Sequence, residues 1–216
     1  MKNRRSPNIT RFPEVNTEII KPTAEMELYF RNYLKRHIKM VSQNAMRLYE
    51  AGFVDGGTVV SIALCHDQSK FYEPEYTPYV KRKWFERETD TEMYKKMGDD
   101  VKDAIVHHVK NNKHHPEYWS GDYRGFDVAE SCHVFNMPER YVIEMICDWT
   151  AMGQELGNTA RAWYEKTKNS RWIFDKPTDD RINYWLDVFD KLDEKYAAIL
   201  AGRQVGRTWA NIRGLR

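Results

Sequence analysis

Val59-Val60-Ser61-Ile62-Ala63-Leu64-Cys65-His66-Asp67-Gln68-Ser69-Lys70 decides how this chain is read. An apolar run delivers a His-Asp doublet toward the interior, with a lysine one helical turn beyond it. Outward from the doublet, the same residue types recur as His37, His107-His108, His114-His115 and Asp148. Of the seven histidines, only His133 falls outside this series. Imidazole and carboxylate are the usual nitrogen and oxygen ligands of Zn, Fe, Mn and Mg, so successive segments can together build a site for one or two ions.

The period around these residues is helical. Phe30, Leu34, His37, Val41, Ala45 and Leu48 step by three or four along a long helix that ends near Gly52. After a turn at Asp55 to Gly57, a second helix carries Val59, Ile62 or Ala63, His66 and Lys70 on one face. Pro74 and Pro78 break the chain, and Tyr79 to Thr91 reads as a charged, aromatic connector. Met97, Val101, Ala104 or Ile105, and His108 mark a third helix, ended by Pro116, and Gly121 to Gly125 is loop. Asn136 caps a fourth, with Pro138 in its first turn, Glu139 at the capping-box position, and Tyr141, Met145, Asp148 and Met152 inward. A short helix spans Thr159 to Lys168, and the last carries Ile182, Trp185, Phe189, Leu192, Tyr196 and Ile199. Strand signals are nearly absent, so the predicted class is an all-α helical bundle. The expected organisation is an arm over residues 1–22, a metal-binding helical domain over 23–169, and a C-terminal helix and basic tail over 170–216.

Composition sets outer bounds. A chain of 216 residues with 41% hydrophobic and 31% charged residues reads as one soluble globular domain with extensions. No run approaches the roughly 18 apolar residues of a membrane span. Met1 to Arg5 is basic but lacks the apolar stretch of a signal peptide. A net charge of +2 gives no reason to expect a nucleic-acid partner, and the arginines of the tail (Arg203, Arg207, Arg213, Arg216) beside Trp209 read as a frayed terminus. Three cysteines without paired spacing suit a reducing cytosol; Cys65 and Cys147, next to His66 and Asp148, read as small buried hydrophobes.

A single histidine on an apolar face is more often a satisfied core residue than a ligand. Here His37, His66, His108 and Asp148 each lie on the inward stripe of a different helix, and four polar groups meeting in one core are costly unless something binds them. His107 shares its stripe with Asp100 and Asp103 and belongs to the solvated side. His115 follows His108 by two turns on the same face, and His114 swings in at the helix end.

The series resembles the HD-domain superfamily of metal-dependent phosphohydrolases. That resemblance implies a first metal held by His37, His66, Asp67 and Asp148, and a second held by His108, His114 and His115. His66-Asp67-Gln68-Ser69-Lys70 is similar to the family's His-Asp-x-Gly-Lys form, whose lysine meets the substrate phosphate. His114-His115-Pro116-Glu117 resembles the His-His-Glu segment of its cyclic-dinucleotide phosphodiesterases, without their Gly-Tyr-Pro tripeptide. A closer likeness, carried by His107-His108, Asn112, His114 to Glu117 and Glu144 to Trp149, is to an uncharacterised family of phages and bacteria. The expected cofactors are therefore one or two divalent ions (Mn, Fe, Co, Zn or Mg), in a bacterial or host cytoplasm.

The implied reaction is hydrolysis of a nucleotide or related small phosphate ester. Lys70, Asp67 and Glu117 are the expected catalytic residues, with Glu73 and Glu144 as other candidate acids. Lys70, Arg82 and Lys83 are the expected substrate contacts; with Arg87, Tyr79, Trp84 and Phe85 the latter two form a stretch able to clamp phosphate and stack a base, although a solvated loop with core anchors is the plainer reading. Trp119 and Trp149 read as core. No membrane partner is expected, and a homo-oligomer stays open. Two rivals share the fold: a di-iron oxygenase, because its branch carries the same His-Asp-x-x-Lys string, and a non-catalytic module stabilised by its metals.

Overall fold

The apolar stripe of residues 30–48 becomes α1 (Ala24–Glu50) in the computed structural model, which describes residues 21–88, 98–125 and 131–213, with side chains to residue 198. Thr23 starts α1 because its hydroxyl accepts the Met26 backbone N–H at 3.3 Å, satisfying one of the donors that a helix start leaves open. Asp55 does the same for α2 (Gly56–Cys65), accepting from Thr58 at 2.7 Å. There follow α3 (Tyr76–Glu88), α4 (Gly98–Asn111), α5 (Glu139–Leu156), α6 (Ala160–Thr167) and α7 (Lys176–Arg213). The fold is all-α: among the described residues the only strands are β1 (Cys132–Val134) and β2 (Trp172–Phe174), paired in parallel with Cys132 opposite Trp172.

Helices α1 and α5 pack on each other at the centre. Helices α2 and α3 lie on α1, α4 lies on α3, and α6 and α7 lie on α5. Asn44 of α1 donates to the Cys147 carbonyl of α5 at 3.3 Å and exchanges a side-chain bond with Gln154, so a buried amide fixes the register of the central pair. The apolar interior falls into two clusters. The larger joins Val41, Ala45 and Leu48 to α2, α5, α6 and α7; the smaller joins Met26, Phe30 and Leu34 to Tyr79 and Val80 of α3 and Ala104 of α4. Along α1 the seam between them falls at buried His37. Ile182, Trp185, Leu186, Val188, Phe189 and Leu192 belong to the larger cluster, so α7 shares the core of the helices before it across the boundary drawn at residue 169.

Several expectations are corrected. The connector from Tyr79 is helical to Glu88, because Pro78 sits in the first turn of α3, where its missing N–H leaves no intrahelical bond unmade. The helix with His66 and Lys70 on one face stops at Cys65; Lys70 belongs to a separate 3₁₀ turn, Gln68–Phe71. Asn136 is not a cap: it has φ 51°, its N–H goes to Asp175 at 3.0 Å, and Pro138 precedes α5. Cys65 is exposed, whereas Cys147 is buried. The tail backbone continues α7 to Arg213. Met97, the expected start of α4, and the arm up to residue 20 lie outside the described residues. No described helix is long and apolar enough to cross a membrane.

Among the described glycines, Gly153 carries the tightest approach. A Cβ there would lie 2.7 Å from the Asn158 carbonyl oxygen, where the chain turns from α5 into α6. Gly153→Ala should therefore cost about 1–3 kcal/mol of stability, read as a shift in the denaturant midpoint without a change in slope.

Candidate metal centre

The His-Asp doublet works as a pair only because α2 ends between its two members. His66 closes the helix, its N–H reaching the Ile62 carbonyl at 3.0 Å, and Asp67 then takes a left-handed backbone with φ 56° and ψ 17°. On a continuous helix adjacent side chains point about 100° apart. The break turns both inward, and aspartate tolerates the left-handed region better than most residues. The second pair is built similarly. Helix α4 ends at Asn111, and His114 and His115 come from the turn before a 3₁₀ segment, Pro116–Trp119, rather than from a continued helical face.

Two ligand groups result. His37, His66 and Asp148 present atoms within 4.8 Å of one another, as do Asp67, His108, His114 and His115. The Asp67 carboxylate faces both. Its Oδ2 lies 3.7 Å from His37 Nε2 and 3.8 Å from His66 Nε2. Its Oδ1 lies 3.1 Å from His108 Nε2 and 3.6 Å from His114 Nε2. His37 Nε2 reaches Asp148 Oδ1 at 3.1 Å. Asp67 Oδ1 and the Nε2 atoms of His108, His114 and His115 are all buried, and none has a hydrogen-bond partner. Leaving such atoms unsatisfied costs about 1–3 kcal/mol each. A cation among them would satisfy all four, so these residues fit a metal ion.

Two glutamates orient the rings from behind. Glu144 Oε1 lies 3.0 Å from His66 Nδ1 and 3.2 Å from His114 Nδ1. Burial alone would raise this carboxyl, but its contacts with His114 and His66 outweigh that and hold it down to about 2. An ionised carboxylate only accepts, so both Nδ1 atoms donate, and both Nε2 atoms are left for the ligand groups. His66, His114 and Glu144 also satisfy the spacing of a third ligand group; those two N–H bonds account for it without an ion. Glu75, fully buried, accepts from His108 Nδ1 and His107 Nδ1 at 2.8 Å each and from Ser69 Oγ at 2.9 Å. His107, expected on the solvated side, is 40% exposed; it bonds this glutamate and belongs to neither ligand group.

Most of these groups sit in the charge state that ligands need, and His114 is the exception. Burial pushes His66 down, and burial with the neighbouring His114 and His108 pushes His115 well below its ordinary value, so both stay neutral. Burial also lowers His114, but Glu144, Asp67 and Asp148 outweigh it and raise its value. Burial would raise Asp67; Lys70, His66 and His108 overcome this and keep it ionised, as His37 does for Asp148.

A cavity of about 280 Å³ opens onto these groups, lined by His37, Asp67, His108, His115 and Asp148 together with Lys70, Arg82, Lys83 and Arg171. Lys70 Nζ rests 2.6 Å from Asp67 Oδ2 and lies over the Tyr79 ring. Arg82 and Lys83 both pair with Glu86 at 2.9 Å. Glu117 does not line the cavity; it is buried, and one oxygen accepts from Arg171 at 2.8 Å, so it holds that arginine in place. Glu73 is exposed and bonds Thr77. His133 pairs with Asp122. Sequence reading missed Glu75, which stands between two prolines off any apolar stripe, and Arg171, which the turn before β2 delivers from a segment too short to show a period.

This chain belongs to the family of unknown function DUF5662. The family's pattern matches residues 26–188, a span that includes every candidate ligand. No curated protein and no solved structure matches it.

Metal content and melting temperature test this geometry. Removing ions with a chelator should lower the melting temperature, since a ligand at 100 times its Kd stabilises by about 2.7 kcal/mol. Glu144→Gln should weaken metal affinity about 10- to 100-fold while the ion still binds. His108→Ala should lose bound metal, and His107→Ala should retain it; equal metal content in the two variants would overturn the assignment of ring directions.

Proposed function

We propose that this protein is a metal-dependent phosphohydrolase acting on a small phosphate ester, foremost a nucleotide. The observation that carries the reading is one carboxylate, Asp67, shared by two histidine-rich groups beneath a cavity lined with Lys70, Arg82, Lys83 and Arg171. The likeness of His66-Asp67-Gln68-Ser69-Lys70 to the HD superfamily supports it. Five imidazoles and two carboxylates suit Zn, Fe, Mn or Co better than Mg, which favours all-oxygen surroundings. Ions bound there would lower the pKa of a bound water to about 7 and neutralise phosphate charge.

The chain's own residues then have separate tasks. Glu144 and Glu75 keep the rings fixed, so little reorganisation is needed when substrate arrives. Burial works against charge on Lys70, but Asp67 outweighs it and keeps the ammonium protonated, where it can receive the non-bridging phosphate oxygens. Arg171, held by Glu117, faces the same cavity and adds a second fixed cation. Arg82 and Lys83 stand on the α3 wall, with Lys83 over the Tyr33 ring. Glu117 serves here as the residue that positions Arg171 rather than as an acid. Two buried free thiols, Cys132 and Cys147, fit action in a reducing cytoplasm.

The same nitrogen-rich donors around a shared carboxylate suit a pair of irons, which favours the oxygenase as the second reading. Stripped protein reloaded separately with Mn, Co, Zn, Mg and Fe, then offered a panel of phosphate esters, separates the two. Hydrolysis that needs a metal and stops with chelator is expected. Lys70→Met should reduce turnover about 10²- to 10³-fold with metal content unchanged. No hydrolysis with any metal, together with oxygen uptake by the iron-loaded protein, would replace this reading.

A further inference from the structure

A second hollow of about 200 Å³ adjoins the metal cavity and shares His115, Met152 and Arg171 with it. Its other walls are mainly Trp149, Trp163 and Trp172, with Leu156 and Asn158. Three segments converge to make it: the end of α5, the turn into α6 that Gly153 allows to lie close, and the start of β2, where Trp172 follows Arg171 of the preceding turn. Trp149 and Trp172 stack at 5.6 Å and 15°, and Trp163 meets Trp172 edge-on at 6.4 Å and 75°. The Arg171 guanidinium lies 4.5 Å over the Trp172 ring while also bonded to Glu117.

Core packing accounts for Trp149 and Trp172, which are buried, but leaves three features unexplained. The Trp172 indole Nε1 is buried without a hydrogen-bond partner, although buried tryptophans usually find one. Trp163 is only half-buried, so ring surface remains available. Leu156 is 72% exposed, an apolar side chain left at the edge of an apolar hollow. The available ring surface of Trp163 and the apolar edge at Leu156 suit a ligand that is flat and aromatic.

We propose that this tryptophan-lined hollow receives the nucleobase of the substrate whose phosphate enters the metal cavity. The phosphate end rests on the hydrolase reading; the base end rests on the hollow itself. Neither space alone reaches the range of ordinary small-molecule sites, roughly 300–1,000 Å³, but the two joined do. A nucleotide has the matching division: an anionic end for Lys70 and Arg171, and a flat heterocycle for the indoles. Arg171 stands at the junction, where the sugar would pass.

Nucleosides, which lack phosphate, test the hollow separately from hydrolysis. Tryptophan fluorescence of the metal-loaded protein is titrated with adenosine, guanosine, cytidine and uridine, and kinetics are compared for the matching monophosphate and for ribose 5-phosphate. At least one nucleoside should bind saturably. Trp163→Ala should weaken that binding roughly 10- to 100-fold, the scale of base–aromatic stacking, and Trp163→Phe should recover most of it. Leu156→Ser, at an exposed position where folding is insensitive, should weaken it in the same direction. KM for the monophosphate should rise in parallel, with ribose 5-phosphate kinetics unchanged. If no nucleoside binds, or if both folded variants bind as the wild type does, the inference is overturned even where phosphate esters are hydrolysed. Nucleoside binding lost in Trp163→Ala, without hydrolysis of any ester, would instead overturn the hydrolase reading and leave the base site standing.

Discussion

Everything in the candidate site turns on Asp67, a buried carboxylate placed where α2 stops. Its two oxygens face different histidine groups, and its left-handed backbone sends it and His66 toward the same point. Burying such a group is expensive unless charges of opposite sign surround it. Lys70 on one oxygen supplies that charge, and the His108 and His114 ring nitrogens approach the other. The arrangement explains why the seam between the two apolar clusters can stay polar: α1, α2, α4 and α5 each contribute to one charged centre instead of to an oil-like contact.

The glutamates behind the rings matter as much as the rings. Glu144 ties α5 to His66 and His114, and Glu75 ties the start of α3 to His108 and His107. Each holds two rings with one carboxylate: Glu144 joins rings from distant parts of the chain, and Glu75 holds two neighbours on α4. Fixing Nδ1 also fixes the tautomer, so ring orientation and lone-pair direction follow from a single contact. The residues that make imidazoles into directed ligands thus stand one layer out from the centre.

The metal cavity and the tryptophan hollow share a border because Arg171, in the turn that leads into β2, directly precedes Trp172. A three-residue strand pair would add little stability by itself. Its consequence is positional: Cys132 paired with Trp172 fixes where Arg171 stands, Glu117 holds the guanidinium, and the indole beside it closes the adjoining space. Charge on one side of that border and aromatic surface on the other suit a ligand with two unlike ends.

The sequence by itself determined the helical class and most helix spans, since spacing by three and four at Phe30, Leu34, His37, Val41, Ala45 and Leu48, or at Tyr141, Met145, Asp148 and Met152, reports which side of a helix is buried. It also brought forward the histidine and aspartate positions, because polar groups on apolar stripes break the pattern visibly. Periodicity cannot show what happens where it stops. The break after His66, the turn holding His114 and His115, and the true start of α3 at Tyr76 depend on backbone states chosen by packing. Glu75, Glu144 and Arg171 acquire their roles from partners far away along the chain: Glu75 meets His108, Glu144 meets His66, and Arg171 meets Glu117. A charged side chain of that kind looks the same in sequence whether it faces water or a buried imidazole. Only tertiary structure decides, because the energy that selects the conformation is electrostatic and arises between segments that no local pattern connects.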